Sequence, residues 1–177
     1  MSSDDYQILK DFQAESKTLI EKMTEVLDRC EGDIQQVQGL EEYGQTVDRI
    51  IGGAKSLAMG PPYPLPMVNQ IGDYAAICKA VGYKASQIRD NEAFYNICVA
   101  LLQDATEVLA DLVDHVFDRE QKGMKTFINQ AFIDRLKWVS EKFGSEYRAT
   151  LDSRKTAQAQ KMNQGEIDEL MKKLGLD

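Results

Sequence analysis

The sequence is poor in the residues that carry most side-chain chemistry. It has one histidine and three cysteines in 177 residues. Cys30, Cys78 and Cys98 lie too far apart for the CxxC pairs of a zinc site or for the framework of a small disulfide-stapled domain. They read as buried thiols of a reducing compartment. Nothing approaches the roughly 18 consecutive apolar residues of a membrane span. The N-terminal MSSDDYQILK also lacks the basic start and apolar run of a secretion signal, so the expectation is a cytoplasmic protein without a membrane partner. Positive charge is scarce as well, with 21 Lys and Arg against 29 Asp and Glu and a formal net charge of −8. Such a surface repels phosphate backbones, which argues against nucleic acid as a partner. Period-2 alternation is missing, so no strand is expected and no glycine-rich phosphate loop can follow one. The four prolines all fall in one segment, GPPYPLP at 60–66, which leaves the rest of the chain free to form long helices.

What is present is helical periodicity. Leu9, Phe12, Leu19, Ile20, Met23, Val26, Leu27 and Cys30 recur at threes and fours and predict a helix over 4–30, ended by Glu31-Gly32. A second helix is expected from Asp33, as its cap, to about residue 58, where the proline segment stops it. A weaker pattern spans 67–87, and the strongest runs over 91–119 from Phe94 to Val116. A fifth helix is expected over 125–147, with Phe127, Ile128, Phe132, Leu136, Val139 and Phe143 inward. The fold class is therefore all-α, an antiparallel bundle of four to five helices over 1–147. The stretch 148–162, with little apolar content, reads as a flexible linker.

A short helix is expected over 163–177. Asn163 and Glu166 have capping-box spacing, Gly175 is a natural stop, and Ile167, Leu170, Met171 and Leu174 fall at i, i+3, i+4 and i+7. A helix this short is marginal alone. Its apolar edge fits either the bundle itself or a partner's groove.

The second helix holds the candidate site. Leu40, Tyr43, Val47, Ile50, Ala54 and Leu57 form its core stripe, and Glu41, Gln45, Asp48, Gly52 and Lys55 line the opposite side. A helix-interior glycine costs roughly 0.5–1 kcal/mol relative to alanine. Gly53 lies toward the flank, where a neighbouring helix can pack on it. Gly52 points outward, so a bare spot between polar side chains suits close approach of another macromolecule. An ordinary solvated face is the bland alternative for the same row.

GQTVDRII at 44–51, preceded by Glu41, resembles the active-site helix of the CheZ family, phosphatases of the phosphorylated chemotaxis regulator CheY. Gln45 matches the family's catalytic Gln, and Gly44 and Arg49 match their positions. Glu41 stands where the family has Asp, which keeps the charge on a longer side chain. QGEIDELMKKLGL at 164–176 looks like the tethered CheY-binding helix that ends CheZ proteins, and also like the CheY-binding segment of the flagellar switch protein FliM, through Ile167, Asp168, Leu170 and Met171. RIIGGAKSLA is similar to the phosphoacceptor region of histidine phosphotransfer domains, but there Asp48 falls on the histidine and Ile51 on the lysine. The single histidine, His115, lies elsewhere, without that motif, as a surface or rim residue.

These resemblances imply a chemotaxis phosphatase that removes the aspartyl phosphate of a CheY-like response regulator. Gln45 and Glu41 would be catalytic. Asp48, Arg49, Gly52, Lys55, Ile167, Asp168, Leu170, Met171 and Leu174 would contact the receiver. No cofactor or metal is expected on this chain, with Mg²⁺ supplied by the receiver, and a homodimer like that of CheZ stays open. The alternative is a non-catalytic, phosphotransfer-like bundle that binds or localises a response regulator.

Overall fold

Ser2 starts the first helix, α1 (Ser3–Cys30), with a capping box. Its hydroxyl accepts from the Asp5 amide at 3.1 Å, and the Asp5 carboxylate accepts from the Ser2 amide at 2.8 Å. In the computed structural model, which describes residues 2–60, 65–146 and 164–177, α1 is followed by α2 (Gly39–Met59), α3 (Pro66–Ala85), α4 (Glu92–Asp114), α5 (Gln130–Glu146) and α6 (Gln164–Lys173). No strand occurs among the described residues, and none of their helices is long and apolar enough to cross a membrane.

The first four helices form a closed ring in which each packs on the next and α4 returns to α1. Cross-contacts fix them antiparallel. Along α1 and α2, Glu15 meets Arg49 near the middle of both helices while Arg29 at the end of α1 meets Glu42 at the start of α2. Three tyrosines fill the centre, each with its hydroxyl satisfied. Tyr43 bonds Thr106 at 2.9 Å, Tyr74 donates to the Ala105 carbonyl, and Tyr95 donates to the carbonyl of Cys30 at 2.7 Å, serving an acceptor at the end of α1. The cysteines are buried and free. Burial pushes the Cys78 thiol up to about 12, so it stays protonated at neutral pH.

Several helix starts differ from the sequence expectation, in each case because a short turn takes the first residues. Asp33 does act as a cap, but of a 3₁₀ turn, Ile34–Gln36, and α2 begins only at Gly39. A second 3₁₀ turn, Met124–Thr126, precedes α5, whose first turn is closed by the Asn129 side chain accepting from the Phe132 amide. α4 ends at Asp114 rather than 119, with His115 as its C-cap. His115 sits at the rim, its Nδ1 2.8 Å from the Asp111 carbonyl oxygen and its ring edge-on to Phe127. Asn163 and the linker 148–162 lie outside the described residues.

Beyond the ring, α5 packs on α4, and α6 lies against both α3 and α5. The α6 apolar edge therefore meets the protein's own bundle. Ile167 and Met171 are buried and Leu170 and Leu174 pack partly buried against the core. Gly175, at φ +72°, ends the helix in a Schellman turn: the Leu176 amide donates to the Met171 carbonyl at 2.8 Å and the Gly175 amide to that of Lys172. That turn sends Leu176 into the core beside the helix.

Candidate functional site

The α2–α3 hairpin is closely packed, and glycines allow the approach. A Cβ on Gly44 of α2 would lie 2.8 Å from the Tyr83 ring of α3, and one on Gly82 of α3 would lie 2.8 Å from the Tyr43 ring of α2. Each helix thus offers a glycine to the other's tyrosine. Nearly three turns further along, Gly72 faces Ala54. Gly53 packs the opposite flank of α2, where its Cβ position is 3.1 Å from the Phe12 ring of α1. Gly44, matched to the phosphatase motif in the sequence, therefore also lies in the helix-packing seam.

Gly52 is different. It is exposed, and a Cβ there would meet nothing within 4 Å. Neither a turn nor a packed neighbour accounts for it, and its backbone is ordinary helix. Gly52→Ala should raise stability by about 0.5–1 kcal/mol, the helix-propensity difference. Urea unfolding of the two proteins measures this directly.

Around it, α2 presents Glu41, Gln45 and Lys55 exposed and Asp48 partly so. Asp48 is not free: its carboxylate accepts from the Lys79 ammonium of α3. Lys79 also approaches the Tyr83 ring, 5.8 Å from its centroid. The Tyr83 phenol is pushed above its ordinary range, first by burial and then by the negative charges of Asp48 and Glu41. Glu41, Gln45, Asp48, Lys79 and Tyr83 thus make one polar strip along the α2–α3 seam. The Gln45 carboxamide makes no hydrogen bond to any described residue. Arg49 stands to the other side of α2, paired with Glu15 of α1 at 2.8 Å, and is separate from this strip.

Lys79 and Tyr83 were not among the residues picked from sequence. Only the hairpin register, which places 79 opposite 48 and 83 opposite 44, brings them in. The α6 residues Ile167, Asp168, Leu170, Met171 and Leu174 are not gathered with the strip; α6 lies along another side of α3. There Lys173 pairs with Asp73 at 2.9 Å, and Asp168 accepts a long 3.4 Å contact from the Ser140 hydroxyl.

Among the described residues no group of three His, Cys, Asp or Glu side chains could hold a metal. Fold and strip together define an all-α helical bundle with a polar strip along one seam. No protein-family model matches the chain, nor does any curated protein or solved structure.

Proposed function

We propose that this bundle dephosphorylates the aspartyl phosphate of a CheY-like response regulator by inserting Gln45 beside the phosphoryl group. The observation that carries the reading is Gln45 itself: an exposed carboxamide without a described partner, on a helix locked on both flanks by glycine packing. An acyl phosphate has a good leaving group, and a receiver already holds Mg²⁺ and a lysine. What remains is to hold a water in line with phosphorus, a task of positioning and electrostatics. A neutral carboxamide accepts from that water and donates to a phosphoryl oxygen without adding repulsive charge. Glu41, one turn back, pairs with the receiver's lysine. The Lys79–Asp48 pair keeps the neighbouring surface near neutral, so an anionic phosphoryl group is not repelled there. Gly52 lets the receiver's backbone approach, which gives an unpacked glycine a reason to stand in a helix.

The second reading is a non-catalytic module that binds a receiver without turnover. It is favoured by Asp48, which falls where a phosphotransfer domain has its histidine and is engaged with Lys79. Phosphate release from a large excess of phosphorylated receiver separates the two. Release far beyond one equivalent per chain is expected for the phosphatase; an effect that saturates at one equivalent identifies the binding module.

A further inference from the structure

We infer that the groove between α3 and α5 is an internal competitor for the C-terminal helix, so that α6 must leave the bundle before its apolar edge can engage a receiver. The inference rests on the reading of the partner given above.

The same edge serves both associations. Ile167 is 0% and Met171 2% exposed in the docked position, so a partner that takes these side chains must first uncover them. A helix of ten residues is too short to be stable in isolation, and its order therefore comes from whichever surface it occupies. Its hold on the bundle is apolar at the centre and weakly polar at the edges. The Lys173–Asp73 pair lies at the surface, with the Lys173 side chain 64% exposed. The Ser140–Asp168 contact is long, and Lys84 faces Glu166 and Asp168 without a hydrogen bond to either among the described residues. These charges set direction: acids at the start of α6 face Lys84, and Lys173 at its end faces Asp73, which fixes α6 antiparallel to α3. Burial holds the Lys84 ammonium below its ordinary range, while the two acids oppose that shift. Residues 147–163 connect α5 to α6 with a maximal reach of about 60 Å, so α6 can leave the groove and stay tethered.

The test leaves the α6 sequence untouched and changes only the groove. Lys84→Glu reverses the charge facing Glu166 and Asp168, and Ser140→Asp adds a carboxylate beside Asp168 from α5. Protection of α2 and α4 in each variant reports whether the bundle keeps its fold. Amide hydrogen exchange on the full chain should show residues 164–177 losing protection in both variants while α2 and α4 keep theirs. Affinity for a CheY-type receiver activated with beryllofluoride and Mg²⁺ should rise about tenfold, the factor expected if the docked state holds about nine-tenths of the molecules. Faster exchange with unchanged affinity would overturn the competition. So would a receiver that binds the wild type while residues 164–177 keep their protection. A receiver that binds through 164–177 but is not dephosphorylated removes the catalytic reading and leaves the competition standing. A receiver bound by neither wild type nor variant rejects both.

Discussion

Gln45→Ala is expected to lower phosphate release from a phosphorylated receiver at least 100-fold, about 2.7 kcal/mol of transition-state stabilisation. The size follows from the role. In the proposed role the receiver would supply metal and lysine, leaving the placement of one water to the bundle, and Gln45 is the strip's carboxamide, with acceptor and donor on separate atoms. The loss should fall on kcat, because in the proposed reading receiver affinity would come from the rest of the strip and from the tail. Stability should stay within about 0.5 kcal/mol, as for other exposed positions without partners; Gln45 is exposed, with no described hydrogen bond. Steady-state phosphate release, with a thermal melt beside it, separates lost chemistry from lost fold.

Gly82→Ala should cost about 1–3 kcal/mol of stability. The new Cβ would stand 2.8 Å from Tyr43 Cδ1 and 3.5 Å from the Leu40 carbonyl oxygen. Tyr43 is 0% exposed and its hydroxyl is held by Thr106, so the ring has nowhere to turn. Gly44→Ala is the matched control. Its Cβ also meets a tyrosine at 2.8 Å, but Tyr83 is partly exposed and can swing toward solvent. At about 2–4 °C per kcal/mol for a chain of this size, melting should separate the two variants by several degrees. Equal melting points would mean that the seam yields at both glycines alike.

The helices were legible where one face is wet and the other dry. In α1, Leu9 to Cys30 alternate with solvent residues, and the expected stripe is the buried one. Glycine roles in α2 could be assigned from angle alone, Gly53 to a flank and Gly52 outward. α3 resisted because α2, α4 and α6 surround it. With residues as different as Gln70, Tyr74, Cys78 and Gly82 buried, it lacks the contrast that periodicity needs. That loss hid Lys79 and Tyr83, whose place in the strip depends on the register of a hairpin closed through a proline-rich loop. The starts of α2 and α5 were obscured by 3₁₀ turns, which share the spacing of a helix for one turn only. For α6 the apolar edge was plain, but periodicity says that an edge wants a surface, not which surface.

The most direct measurement is the number of phosphates released per chain from excess phosphorylated receiver, with wild type and Gln45→Ala run side by side. Many turnovers by the wild type and release at the receiver's own spontaneous rate with Gln45→Ala are the expected pair. Equal release by the two proteins, or an effect limited to one phosphate per chain, would contradict a catalytic Gln45.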